Sequence, residues 1–256
     1  LVVIAIIALL IGILLPALGS ARRSAKTTVC GSRLQQMGLG LGLYLNEYDR
    51  TLPQKAGPLP GGGDAVIGAL FAGKKGSLPF YGINEIGAEG RPLNQYLIDG
   101  DVPPDDSEQN FEIEACESPA DIGAENTGVP IPGFERTDSM YELLGASYTL
   151  NDHAIDLNPA GDDISTLVPP GGGRMPIVTD TTKTWVIGSH PIYAHDNDEE
   201  REMYWYSKKD TRANLLFLDF HVKVGVKVPN EPGETENTTP DYTFLPTPDW
   251  EERYPW

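Results

Sequence analysis

Leu1 to Leu15 form fifteen consecutive positions without a polar side chain, and the uncharged stretch continues through Ala21 to the first charge at Arg22. At about 1.5 Å per residue, such a run as a helix spans about 30 Å, the thickness of a bilayer core. Beyond Ala21 the pattern becomes amphipathic but stays helical. Val29, Leu34, Met37, Leu41, Leu45 and Tyr48 recur at intervals of three to five, with Arg33, Gln35, Gln36 and Glu47 between them. The spacing predicts one helix over 1–50, about 75 Å long. Gly38, Gly40 and Gly42 weaken it by about 1 kcal/mol each relative to Ala, and they let another backbone approach closely. Pro16 removes one backbone hydrogen bond and crowds the preceding turn, so a kink or a melted turn is expected there. Three readings of the apolar run compete: a secretory signal, a membrane anchor, and the apolar half of a long assembly helix. Ala17-Leu18-Gly19 has the small-x-small pattern of a cleavage site, but no basic stretch precedes the run.

Pro53 cannot continue the helix. Residues 57–115 are rich in Gly and Pro, with Gly61-Gly62-Gly63 and Val102-Pro103-Pro104 marking loops. Short helices are expected near Gly63–Ala72 and Leu93–Ile98. Strands are expected at Ala146–Leu150, Met175–Asp180, Thr184–Ile187, Asn214–Asp219 and His221–Val228, the last two as a hairpin around Asp219-Phe220. The fold class is α+β: a long N-terminal helix, kinked or melted near Pro16, packed on a mainly antiparallel sheet head with long loops. Three parts follow: the helix at 1–50, a globular head at 51–228, and a Pro-rich acidic tail at 229–256. That tail carries Trp250, Trp256 and three further aromatics, which need burial on the parent head or on a neighbouring subunit. Asn237-Thr238-Thr239 has the pattern of a glycosylation sequon.

Charge sharpens this division. The chain has 256 residues and a net charge of −18. Residues 1–50 carry Arg22, Arg23, Lys26, Arg33 and Arg50 against Glu47 and Asp49, a net of +3, which leaves −21 on the remaining 206. A head this acidic argues against nucleic acid, which needs clustered Lys and Arg. The two cysteines, Cys30 and Cys116, are too few for a Cys-rich zinc site. They form either a disulfide in an extracytoplasmic head or two separate buried thiols.

Little in the sequence points to catalysis. The histidines are His153, His190, His195 and His221, with no His-x-x-x-His, no Cys-His pair and no Gly-x-Ser-x-Gly turn. Gly171-Gly172-Gly173 lacks the Lys-Ser/Thr of a phosphate loop, and the neighbours Asp152 and His153 point apart on a strand. No enzymatic activity is expected. Asp196, Asp198, Glu199 and Glu200 place oxygen donors as a calcium loop does, yet lack the glycine and distal glutamate of an EF-hand. They read as a calcium site or as a solvated acidic loop. Asp99 to Asp106 is a weaker candidate of the same kind, interrupted by Pro103-Pro104.

The segment LVVIAIIALLIGILLPALGSAR, with its proline and its amphipathic continuation, resembles the N-terminal region of type IV pilins and type II secretion pseudopilins. In that family a basic leader is cut before a Phe-Thr-Leu-Ile-Glu-Leu stretch that leads into such a run. The family's glutamate, which neutralises a neighbouring subunit's N-terminus, then falls two residues before Leu1, and Pro16 falls at its helix-disrupting proline. Applied to this sequence alone, the positive-inside rule puts Arg22, Arg23 and Lys26 in the cytoplasm; the resemblance implies the opposite orientation. Further stretches resemble the pilin-like family marked by a His, nine residues, then Asp-Gly. Cys30-Gly-Ser-Arg-Leu-Gln-Gln-Met-Gly-Leu-Gly with Tyr44 and Tyr48-Asp49 is similar to its post-membrane helix. Cys116-Glu-Ser-Pro-Ala-Asp121 is similar to its Cys-Pro-x-Asp segment, and Ser147-Tyr148-Thr149-Leu150-Asn151 to its Ser-Tyr-x-x-Asn strand. Ala213 to Val222 is similar to its closing strand and turn, but Lys209 stands for the first His and Phe220 for the Gly.

The resemblance implies a structural subunit of an extracellular filament, held in the inner membrane as a precursor. Its assembly helix would include Leu1, Ile4, Ile7, Ile11, Leu14, Pro16 and Leu18. Its partners would be copies of itself, an inner-membrane assembly platform and a prepilin peptidase, with no cofactor beyond the candidate calcium. The alternatives are a membrane-anchored extracytoplasmic binding domain and a minor pseudopilin of a secretion system.

Overall fold

The computed structural model describes residues 2–105, 111–129, 131–152, 166–169, 171–195, 201–229 and 238–247. One helix dominates it: α1 runs from Val2 to Glu47, 46 residues. Its backbone stays helical across position 16, so the melted turn expected there does not form. A proline removes one rung of the ladder, and the turns on either side of it hold. The helix ends in two left-handed residues, Asp49 (φ 44°) and Arg50 (φ 61°), with the Arg50 amide returning to the Leu45 carbonyl at 3.3 Å.

The second half of α1 packs on the head along one stripe. Cys30, Leu34, Met37 and Leu41 are fully buried and Tyr44 nearly so, at alternating steps of four and three residues. The sheet they meet has four antiparallel strands in sequential order: β3 (Tyr148–Leu150), β4 (Trp185–Ser189), β5 (Arg212–Phe217) and β6 (Val222–Lys227). A smaller hairpin pairs β1 (Ala56–Pro58) with β2 (Asp64–Val66). Its loop needs glycines, since Gly62 and Gly63 take φ values of 91° and 83°.

Leu216 of β5 faces α1, whereas Ala213, Leu215 and Phe217 face a second core with Trp185, Tyr242 and Phe244. Segment 238–247 and the 3-10 turn His190–His195 supply that second layer, with Trp185 and Phe244 edge to face at 4.9 Å. The described part of the tail therefore buries its aromatics on its own head. A sheet covered on both faces explains why Leu215-Leu216-Phe217-Leu218 reads as an unbroken apolar run. Burial of each such side chain contributes about 1.5–3 kcal/mol.

The space at Gly38, Gly40 and Gly42 of α1 is filled mainly by side chains of the same chain and not by another backbone; only Gly40 has a backbone atom close by, the Tyr96 carbonyl oxygen. A Cβ on Gly38 would lie 3.0 Å from Leu216, one on Gly40 3.1 Å from Leu97, and one on Gly42 3.7 Å from the Phe220 ring.

Several expected elements differ. Strands form at four of the five expected places, and β5–β6 is the expected hairpin. Met175–Asp180 is not a strand: Pro176 has no amide to donate, the Met175 and Thr179 amides make isolated links to Arg50 and Pro246, and the Asp180 carbonyl accepts turn bonds from Lys183 and Thr184. Gly63–Ala72 holds β2 and a 3-10 turn at Gly68–Phe71 instead of an α-helix, and Leu93–Ile98 holds only a 3-10 turn at Asn94–Tyr96. One helix, α2 (Met140–Leu144), was not expected. Its signal lies in the sequence: Ser139 caps the Glu142 amide at 3.2 Å, and Gly145 closes the helix at φ 87°.

Candidate assembly surface and head cavities

Along the first half of α1 the large apolar side chains lie open on most of the circumference. Ile4 is 72 % exposed, Ile7 and Ile11 50 %, Leu14 62 % and Leu18 50 %. Val3, Ile6, Leu9, Leu10, Ile13 and Leu15 are equally open. A contiguous apolar surface of this size on a folded chain marks contact with lipid or with other protein. Among the described residues no helix is long and apolar enough to cross a membrane. The side chains at positions 1, 2, 5, 8 and 16, all uncharged in the sequence, lie outside the described residues. Leu1 lies outside the described residues. Of the seven sequence-predicted assembly residues, the structure places Ile4, Ile7, Ile11, Leu14 and Leu18 on this open helix.

The two cysteines do not join. Both are free and fully buried, in separate clusters. Cys30 sits under β3, its sulfur 2.8 Å from Ser118 Oγ, while Cys116 lies in the α1 core near Arg91, where burial pushes its thiol up to about 12. Of the two readings the sequence leaves open, the structure therefore has the separate buried thiols.

The residues that carry the second resemblance are hydrogen-bond nodes that tie the head together and to α1. Asp121 accepts the Met140 and Tyr141 amides at 3.1 and 2.8 Å, capping α2, and the Ser147 hydroxyl at 2.7 Å. Ser147 in turn accepts the Ser118 amide at 2.9 Å. Asn151 donates to the carbonyls of Trp185 and Phe244, pinning β4 to the C-terminal segment. Asn214, fully buried, donates to the Thr27 carbonyl of α1 at 3.1 Å and accepts the Gly225 amide at 2.8 Å. Phe220, at the position where the resembled motif has glycine, holds φ 68° at the tip of the β5–β6 turn. Beside it, Asp219 accepts from His221, ring to carboxylate 2.5 Å, and the imidazole stacks on Phe217 at 4.3 Å. Burial raises the Asp219 carboxyl, but the hydrogen bonds from His221 outweigh it and hold the group below its ordinary value.

Sequence reasoning missed two polar clusters. Arg91 is 1 % exposed and its guanidinium donates to the carbonyls of Ile86, Ala69, Ala72 and Leu144 at 2.9–3.3 Å. Burial lowers its pKa to about 10. Lys74 pairs with Glu112 and Glu142, each at 2.8 Å, and lies over the Tyr141 ring at 4.5 Å. Both clusters bridge segments far apart in sequence, which spacing along the chain does not reveal.

Among the described residues, cavities open on the head at two places that bear on function. One, about 490 Å³, lies between α1 at Val29–Gln36 and the segments 97–99 and 111–115. The other, about 500 Å³, has walls that include Ile67, Leu78, Met140 and Met203, with Thr149, Asp152 and His190 on its polar side. Tyr193 donates to the Asp152 carboxylate there at 3.2 Å. The candidate calcium residues Asp196, Asp198, Glu199 and Glu200 lie outside the described residues, as do His153, Asn237, Trp250 and Trp256. Among the described residues no cluster of His, Cys, Asp or Glu is arranged to hold a metal.

The fold that these elements define is an α+β class with a long N-terminal helix laid on an antiparallel sheet. Compared with protein-family models, characterised proteins and solved structures, the chain matches none.

Proposed function

We propose that this chain is a structural subunit of an extracellular helical filament of the type IV pilin or pseudopilin kind. The observation that carries this reading is the contrast within α1: the apolar first half is open on most sides, while the second half is buried by the head. A helix built this way needs several neighbours at one end and one packed domain at the other. Lipid supplies those neighbours before assembly, and the apolar helices of other copies supply them afterwards. Both surroundings are apolar, so the transfer costs little and is reversible. The acidic head then faces solvent at the filament surface.

The test is electron microscopy of material sheared from cells, with mass spectrometry of the filaments. Filaments composed mainly of this chain, with the α1 helices bundled at the centre, are the expected result. A chain found only in the membrane fraction, and monomeric after detergent extraction, would overturn it. A second reading, a membrane-anchored extracytoplasmic binding domain, is favoured by the mostly apolar cavity of about 500 Å³ in the head.

A further inference from the structure

Arg22, Arg23 and Lys26 follow directly on the apolar run, and their spacing puts them within a third of the helix circumference. Arg22 and Lys26 are exposed, and none of the three has an ion partner among the described residues. The head offers a counterpart. Between Arg91 and Arg136 the sequence holds no Lys or Arg, while Asp99, Asp101, Asp105, Glu112, Glu114 and Glu117 all fall there. Part of this acidic stretch walls the groove of about 490 Å³ beside α1. Val29, Leu97, Ile98 and Phe111 give the groove an apolar lining; Asp99, Glu112 and Glu114 stand on its rim, with one cation, the largely covered Arg33, paired to Glu114. Glu112 and Glu114 pair with Lys74 and Arg33 yet keep 55 % and 87 % of their side chains exposed. Asp99 has no ion partner among the described residues.

We propose that this groove seats the basic neck of a second copy, with Arg22, Arg23 and Lys26 against the acidic rim and the apolar end of that neck, at Leu18, against the lining. The inference rests on the filament reading and names the contact that sets one subunit against the next. Charge complementarity selects the occupant. Three cations that no acid among the described residues meets lie on the segment that assembly buries, and a groove with an acidic rim lies open on the head. Opposite charge across the interface fixes register and rejects misplaced neighbours, because like charges facing each other there repel.

The experiment co-expresses two tagged full-length chains in filament-producing cells, one carrying Lys26→Cys and the other Asp99→Cys, and oxidises the sheared filaments. The native thiols of Cys30 and Cys116 are fully buried and do not compete. Disulfide-linked heterodimers should exceed those of a Lys26→Cys and Lys208→Cys control by at least about tenfold, as expected for a contact specified by charge. The triple reversal R22E/R23E/K26E should lower filament yield at least about tenfold, and Asp99→Lys in the same chain should restore part of it. Abundant filaments whose heterodimers stay at the control level would overturn the contact and leave the filament reading standing. Absence of filaments from the unmodified chain would overturn both. The crosslink decides the matter if the reversed chain never reaches the membrane.

Discussion

Between Val3 and Leu18 the large side chains of α1 stand 50–72 % exposed, whereas Cys30, Leu34, Met37 and Leu41 of the same helix are sealed beneath the head. The two halves share one unbroken backbone, and both are rich in Leu and in glycine. What separates them is what their surface meets. In the second half, Gly38 admits Leu216 and Gly42 admits the Phe220 ring, so each small residue is matched by a large one from the head. In the first half a Cβ on Gly12 would have nothing within 4 Å. Helix propensity therefore does not explain where the glycines stand; the packing partner does. In one half that partner belongs to the chain, and in the other the proposed filament would supply it from other copies.

Substitutions that read the two halves separately test this contrast most strongly in the core. Leu41→Ala should destabilise the head by about 2–5 kcal/mol, the usual range for emptying a buried leucine site. Leu10→Ala should leave the head unchanged within about 0.5 kcal/mol, as exposed substitutions do. Urea unfolding of the detergent-solubilised full chain, followed by Trp185 and Trp205 fluorescence, measures both. Equal losses would erase the distinction. The glycines give the next largest effect. Gly38→Val drives a branched side chain into buried Leu216 and should cost about 1–3 kcal/mol, while Gly12→Val should not move the unfolding midpoint of the head.

A smaller effect is expected at the hairpin tip that covers Gly42. Phe220→Ala removes the ring but keeps the left-handed backbone; Phe220→Gly removes both ring and strain. The Gly variant should be the more stable of the two by about 1 kcal/mol, and the reverse order would mean that the strain is not felt. Next to it, Asp219 titrates below its ordinary value because His221 holds the charged form. That contribution is present above the unfolded-state value and is lost as pH falls through it to the folded one. His221→Gln should therefore lose a little stability near neutral pH and show a shallower decline below about pH 4. An unchanged acid limb would remove His221 from that role.

Much of this contrast is legible in the sequence, and the remainder is not, for physical reasons. The apolar run, the amphipathic stripe and the β5–β6 hairpin follow from periodicities of 3.6 and 2, which are local. The α2 helix was also legible, through the Ser139 and Glu142 cap followed by Gly145, although it spans only five residues and shows no periodicity. Met175–Asp180 has strand composition but no neighbour to pair with, and pairing is a property of the whole sheet. Arg91 looks like an ordinary surface cation in the sequence. Only the fold brings four carbonyls from residues 69, 72, 86 and 144 around its guanidinium. The cysteines carried the same ambiguity: one sits under β3 and the other in the α1 core, and their separation is set by tertiary packing.

The central claim is that neighbouring copies cover the first half of α1 while the chain's own head covers the second. A photo-crosslinking residue placed in turn at Ile11 and at Leu41 of the full-length chain, activated in sheared filaments, tests it most directly. The account predicts a ladder of chain multimers from position 11 and only internal crosslinks from position 41. Multimers from position 41, or position 11 crosslinked to lipid alone with no ladder, would contradict it.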